Sequence, residues 1–188
     1  MKTLVISHAA VTWFLCGLIW TIQLVHYPAF ADVSRDGFST FHQAHVQRIT
    51  ALVALPMLVE LVTAGLIVLI APVPRVSAVV GLVLLIVIWG ATAFVQVPLH
   101  DALARGADSA TISRLVETNW VRTVAWTLRA GLAGWWVARL GGPDNPDSQL
   151  SQPGLKGPHG GVQAGQRVHT PGRSTHGDQG AHRGGQPR

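Results

Sequence analysis

Two stretches of the chain place ionisable side chains at helical intervals just inside long apolar runs. In the first, FHQAHVQRIT, the side chains of His42, His45 and Arg48 follow one another at steps of three. On a helix they share roughly one face, which continues inward to Glu60. Imidazole can bind a metal or exchange protons near neutral pH, and a guanidinium can bind an anion. The spacing therefore predicts a polar stripe suited to acid–base or metal chemistry.

The second stripe lies near the end of the apolar region. Asn119, Arg122, Trp126 and Arg129 are separated by steps of three, four and three, which is the spacing of one helix face. Charged groups at such depth in a bilayer cost at least a few kcal/mol when they face lipid. Both stripes are therefore expected to face the interior of a helix bundle.

The apolar runs around these stripes are long enough to cross a membrane. About 30 Å of hydrocarbon needs about 20 apolar residues as helix, and four stretches meet this length, at 3–25, 49–71, 76–98 and 120–140. Of the 188 residues, 48% are hydrophobic and only 12% are charged, against about 25% charged in soluble domains. We therefore predict an all-α fold in which residues 1–140 form a four-transmembrane-helix bundle. The protein would be a multi-pass protein of the cell membrane, in contact with the lipid bilayer.

Residues 141–188 differ in composition from the rest of the chain. They are rich in Gly, Pro, His and Arg, and they hold too little apolar surface to offset the entropy of ordering. We expect a disordered C-terminal tail. The basic residues behind the net charge of +5 are scattered, so no nucleic-acid partner is expected. Lys2, Arg75, Arg139 and the tail fall on one side of the predicted spans, which predicts that both termini are cytoplasmic.

The two halves of the apolar region match when the sequence is displaced by 74 residues. The matched pairs are His26 with His100, His45 with Asn119, and Arg48 with Arg122. This similarity predicts a parallel tandem repeat of a two-helix unit, with both halves in the same orientation. His26 and His100 would then lie at equal depth on opposite sides of the repeat axis.

Glu60 and Arg129 are both expected near the middle of the bilayer. At 1.5 Å per residue, Glu60 lies about 18 Å inward from Arg48, and Arg129 lies about 10 Å inward from Arg122. A paired carboxylate and guanidinium are much less costly there than either group alone. The positions therefore predict a buried Glu60–Arg129 ion pair. The alternative is that Glu60 serves as a metal ligand or proton acceptor.

The candidate metal ligands are four histidines in the outer third of the predicted bundle, together with the carboxylate. They are His26, His42, His45, His100 and Glu60. Imidazoles on facing helices can bind Cu, Fe or Zn, and His26 with His100 could instead ligate a haem. No Cys-x-x-Cys-His, His-Glu-x-x-His or Glu-x-x-His motif accompanies them. The sequence therefore allows a transition metal, a haem or no cofactor. In the last case the histidines would be hydrogen-bonded residues at the membrane interface.

The segments VHYPAF and NWVRT, with a polar outer loop between the spans, resemble small four-helix membrane proteins of the anthrone-oxygenase-like family. The resemblance covers about residues 10–135. Members of that family with an assigned activity oxidise polycyclic aromatic phenols with dioxygen. The resemblance implies that His26, Asn119 and Arg122 border a substrate region. Four other candidate residues lie outside the matched segments: His42, His45, His100 and Glu60.

These patterns together predict a small, oxygenase-like integral-membrane oxidoreductase with a His- and Arg-lined pocket near the outer face. Its substrate would be an apolar aromatic or lipid-like molecule. His26, His42, His45 and His100 would bind a metal or act as acid and base. Arg122, helped by Asn119 and Arg48, would stabilise an anionic substrate or oxygen species. The alternative is a non-catalytic accessory subunit or carrier whose buried polar stripe serves packing or transport.

Overall fold

The computed structural model describes residues 1–142, and within them the chain is helical and has no strand. The α-helices of this part are α1 (Lys2–Thr21), α2 (Arg35–Ile70), α3 (Arg75–Ala91), α4 (Val97–Leu103) and α5 (Ser109–Leu140). A π-helical segment continues α1 (Ile22–His26), a second continues α3 (Thr92–Gln96), and a 3-10 helix (Pro28–Asp32) precedes α2. The predicted all-α class is confirmed. The predicted disordered tail lies outside the described residues, apart from its first two.

Three helical stretches are long and apolar enough to cross a membrane. They are Lys2–Asp32, Arg35–Ile70 and Arg75–Leu103, with mean hydropathies of 1.7, 2.5 and 2.6. Each overlaps one of the first three predicted spans, and the second ends one residue before the predicted end at 71. Helix α5 contains the fourth, at 120–140, but does not reach the same apolar composition, because it carries the charges of the second polar stripe. The structure thus has the features of a membrane protein with three candidate spans.

Each π-helical segment ends directly before an X-Pro pair. Tyr27, which precedes Pro28, donates its backbone N–H to the carbonyl of Ile22 at 2.9 Å, five residues earlier. Val97, which precedes Pro98, makes the equivalent bond to Thr92. Proline has no N–H and its ring clashes with the carbonyl four residues before it, so a widened turn accommodates it. The order of α-helix, π-helical segment, short helix and long helix therefore occurs twice along the chain.

Capping and turn chemistry set the ends of the long helices. The carboxylate of Asp108 accepts a hydrogen bond from the N–H of Thr111 at 3.0 Å and another from its hydroxyl, which satisfies the start of α5. Both bonds hold the pKa of Asp108 below its usual range, and the bond from the hydroxyl has the larger effect. Pro74 starts α3, and the hydroxyl of Ser77 donates to its carbonyl at 2.7 Å. The short connection from Ala71 makes α2 and α3 antiparallel neighbours.

Helix α5 is the central element, because it packs against both α1 and α3 and carries the largest set of buried residues. Two apolar clusters surround it. One centres on Phe30, Phe38 and Trp126, and the other on Ile67 and Trp136. The outside of the bundle is also apolar. Large exposed side chains there include Leu69 (74% exposed), Val76 (78%) and Phe94 (83%). Such a continuous apolar surface is suited to lipid rather than water.

Candidate functional site

The four predicted histidines come together at one end of the bundle. Nε2 of His26 lies 2.6 Å from Nδ1 of His45, and Nε2 of His42 lies 3.0 Å from Nδ1 of His100. The ring centroids of His45 and His100 are 5.5 Å apart, so the two pairs pack against each other. We call these four side chains the imidazole cluster. The first π-helical segment supplies His26, α2 supplies His42 and His45, and α4 supplies His100.

Glu60 does not belong to this cluster. It lies on α2 about 22 Å along the helix axis from His45, and Arg129 holds it there. The five-residue metal set predicted from the sequence therefore does not come together. Within residues 1–142, no group of three or more His, Cys, Asp or Glu side chains is arranged to hold a metal ion. The imidazoles meet as hydrogen-bonded pairs instead of pointing several nitrogens at one centre, so this arrangement does not fit a metal ion or a haem.

The predicted ion pair is present in the interior. Arg129 Nη2 lies 3.0 Å from Glu60 Oε1, with the side chains 2% and 0% exposed. The carboxylate also accepts hydrogen bonds from Nε of Arg129 at 3.1 Å, the hydroxyl of Thr12 at 2.9 Å and the indole N–H of Trp126 at 3.2 Å. Arg129 further donates to the carbonyl of Gly81. The pair is thus fully hydrogen-bonded on the carboxylate side, as a buried ion pair must be.

Tyr27 is a site residue that the sequence reasoning missed. Its side chain is 3% exposed, and its hydroxyl lies 3.0 Å from Nε2 of His100. The guanidinium of Arg122 lies beside the same hydroxyl and 5.6 Å from the ring of Trp126. In the sequence, Tyr27 is marked by its position between His26 and Pro28. Nothing in the spacing indicated that a widened turn would direct the phenol towards α4.

Asn119 has a packing contact instead of a place in the imidazole cluster. Its amide N–H donates to Oε1 of Gln23 at 2.8 Å, and the hydroxyl of Thr123 donates to the same oxygen at 3.3 Å. Gln23 in turn donates to the carbonyl of Val116 at 3.1 Å. These bonds fix the first π-helical segment against α5. His45 and Asn119 occupy matching positions in the two halves of the sequence, but their side chains have different partners. His45 pairs with His26, whereas Asn119 pairs with Gln23.

An apolar groove of about 250 Å³ lies between α1 and α2, next to one half of the imidazole cluster. Its walls are formed mainly by Leu18, Ile22, Phe41, Ala44, Ile49 and Leu52. The polar side chains in its lining are Thr21, His26, His45 and Arg48. The side chain of Arg48 is exposed, which corrects the expectation that it would face the bundle interior. The actual rotation of α2 turns His42 and His45 inward and leaves Arg48 at the groove.

A second recess, the polar groove, lies between α2 and α4 on the other side of the cluster. It has a volume of about 430 Å³. Its lining includes Ser39, His42, Gln43, Gln47, His100 and Asp101. The imidazole cluster therefore separates a recess with mainly apolar walls from one that is lined mostly by polar side chains.

Arg122 differs from Arg129 in having no carboxylate beside it in the described part of the chain. It is 8% exposed, and its Nε has no hydrogen-bond partner. Its neighbours are the hydroxyl of Tyr27 and the ring of Trp126. It lies behind the imidazole cluster and does not line the apolar groove, so it cannot contact a molecule there directly.

No protein-family model, curated protein or solved structure significantly matches the chain.

Proposed function

We propose that the chain is a multi-pass protein of the cell membrane whose two halves form a four-span bundle by tandem duplication, with both termini cytoplasmic. The twofold recurrence of the element order supports the duplication. For the fourth span, the support is the stretch 120–135 of α5, where the large exposed side chains are apolar: Trp120, Val121, Val124, Leu128 and Trp135. The arginines of α5 at 122 and 129 are buried, so its charge faces protein instead of lipid.

In this bundle, the apolar groove takes an apolar aromatic or lipid-like substrate that carries an acidic O–H or C–H group. The protein is then a small, oxygenase-like integral-membrane oxidoreductase with dioxygen as the oxidant. One observation carries this proposal: a recess with apolar walls, on a surface suited to lipid, holds an imidazole pair and a guanidinium. Apolar walls with a few placed polar groups are typical of small-molecule sites.

His26 is the base in this proposal, since it is partly exposed on the groove wall. It takes the acidic proton of the substrate at the ring nitrogen that does not face His45. The 2.6 Å contact to His45 orients the ring and disperses the charge that His26 acquires. Arg48, on the same wall, stabilises the substrate anion. An electron-rich anion of this kind can then pass electrons to dioxygen.

The family resemblance suggests anthrone as the probe, and its oxidation balances with one dioxygen. The methylene carbon loses two hydrogens and becomes a carbonyl, a four-electron oxidation. One oxygen atom of dioxygen becomes the carbonyl oxygen. The other leaves as water with both hydrogens. The chain's own residues need only remove the proton and hold the anion. Arg122 and His100 contribute indirectly, because they position Tyr27 and the inner half of the imidazole cluster.

The test is oxidation of anthrone by the full chain in liposomes, followed by oxygen uptake and by transfer of label from ¹⁸O-dioxygen into the quinone. His26→Gln should lower kcat/KM by about 10²- to 10⁴-fold, the usual contribution of a general base. Arg48→Gln should lower it by about 10²-fold, as loss of an anion-stabilising donor does. Arg35→Gln is the matched control, because Arg35 is an exposed arginine of α2 outside the groove.

Protein-free liposomes give the spontaneous rate to subtract. Wild-type protein that adds nothing to this rate, or a His26→Gln variant as active as wild type, contradicts the proposal. Protein-dependent uptake of anthrone without oxidation would favour the carrier alternative.

A further inference from the structure

We infer that five side chains form a proton relay between the two grooves: His26, His45, Tyr27, His100 and His42. The relay rests on the proposed function in one respect, since it removes the proton that His26 takes from the substrate. Its geometry is independent of that chemistry. Three of its four links bring a donor and an acceptor to hydrogen-bond distance, and the fourth is a short gap.

The first link lies on the apolar groove. Nε2 of His26 and Nδ1 of His45 are 2.6 Å apart, so one proton is shared between them. With the proton on Nε2 of His26, its Nδ1 is free to accept the proton of the substrate. The shared proton then passes to His45, which must release its own proton from Nε2 to remain neutral.

The last two links lie on the polar groove. The hydroxyl of Tyr27 can donate to Nε2 of His100, at 3.0 Å, and Nδ1 of His100 can donate to Nε2 of His42, also at 3.0 Å. One tautomer of His100 satisfies both bonds, because each ring nitrogen has a single partner. A proton that reaches the oxygen of Tyr27 is thus transferred to His42 by hops in one direction.

The gap between these links lies at His45. Nε2 of His45 is buried and has no hydrogen-bond partner. The ring centroid of His45 lies 6.1 Å from that of Tyr27 and 5.5 Å from that of His100. The relay requires one bridging water or a small ring rotation to join Nε2 to the phenol oxygen. A buried nitrogen without a hydrogen-bond partner destabilises the fold. In the relay, this nitrogen passes the proton from His45 to Tyr27.

The two ends of the relay open on different surroundings. His26 faces a recess with apolar walls, whereas His42 and His100 line the polar groove with Asp101. A proton accepted at His26 therefore leaves to water or a carboxylate at the polar groove, and each relay group ends with the same number of protons. Arg122, beside Tyr27, keeps its own protons and does not carry any.

The first experiment needs no substrate. The full chain, with ¹⁵N-labelled histidine, is placed in lipid nanodiscs, and the exchange of the imidazole N–H shared by His26 and His45 with deuterated water is followed by NMR. Tyr27→Phe removes one hydroxyl and keeps the ring, and His42→Ala removes the exit. Each should slow this exchange at least about tenfold. Gln43→Ala, in the same polar groove, should leave it unchanged. Wild-type exchange rates in both relay variants would overturn the inference.

The second experiment uses turnover of anthrone. Tyr27→Phe and His42→Ala should lower kcat with KM unchanged, since neither residue lines the apolar groove. Added imidazole should restore the kcat of His42→Ala and not that of Tyr27→Phe. A purely structural role for His42 would give no rescue, and that result also overturns the relay. If wild-type protein does not oxidise anthrone, the proposed function fails for this substrate, and the exchange experiment alone decides on the relay.

Discussion

Arg122 and Arg129 make a matched pair of buried arginines whose removal is expected to have very different costs. They lie seven residues apart on one face of α5 and are 8% and 3% exposed. Only Arg129 has a carboxylate partner within the described residues. We predict that Arg129→Gln lowers the free energy of unfolding by about 3 to 5 kcal/mol, the usual cost of breaking a buried ion pair. Arg122→Gln should change it by less than about 1.5 kcal/mol in either direction.

The contacts of each guanidinium give these magnitudes. Without Arg129, the carboxylate of Glu60, which is 0% exposed, keeps only its hydrogen bonds from Thr12 and Trp126. An uncompensated buried charge is the expensive outcome. Without Arg122, the protein loses its contact with the hydroxyl of Tyr27 and an interaction with the Trp126 ring worth about 0.5 to 2 kcal/mol. The substitution also removes a buried cation that has no carboxylate partner, which is stabilising. The two effects therefore oppose each other.

The assay is reversible unfolding by SDS in mixed micelles, followed by far-ultraviolet circular dichroism. The cycle of Glu60→Gln, Arg129→Gln and the double variant should give a coupling energy of about 2 to 3 kcal/mol, since the double variant leaves no unpaired charge. The reasoning is refuted if Arg122→Gln costs as much as Arg129→Gln, or if the two substitutions at the ion pair are additive.

Two further predictions concern the framework. A Cβ at Gly81 would lie 3.2 Å from the Trp136 ring, so Gly81→Ala should destabilise the protein by about 1 to 3 kcal/mol through overpacking. Gly90 lies on the same helix, and a Cβ there would have nothing within 4 Å. In the same unfolding assay, Gly90→Ala should therefore stabilise the protein by about 0.5 to 1 kcal/mol. Asp108→Ala should raise amide hydrogen exchange in the first turn of α5. Hydrogen bonds from Thr111 lower the pKa of Asp108. Its contribution is therefore full above the unfolded pKa of about 3.9 and is lost as the pH falls through the lower folded pKa. Wild-type protection factors in this turn that stay constant as the pH falls through that range, after correction for the intrinsic exchange rate, would contradict this.

The candidate spans followed directly from the sequence, because crossing a bilayer requires a long apolar helix whatever it packs against. The stripe on α5 was also predictable. Its arginines at 122 and 129 are buried because a charged group on an otherwise apolar helix has only one favourable direction to face. The same argument gave the ion pair, since Glu60 and Arg129 were expected at similar depths. The clustering of His42 and His45 with two other histidines was foreseen as a shared polar region, although its pairing was not.

Which groups touch was decided by the tertiary structure. The π-helical segments add a residue to one turn, so the direction of His26, Tyr27 and His100 cannot be calculated from a period of 3.6. The rotation of α2 about its axis then placed Arg48 at the groove. The sequence by itself determined where the long apolar helices lie and that the arginines of α5 at 122 and 129 avoid lipid, because both follow from local chemistry and the cost of burying charge. It did not extend α2 back to Arg35 or α5 back to Ser109. Contacts between side chains of different helices depend on how the helices rotate and pack together, and only the folded chain fixes that.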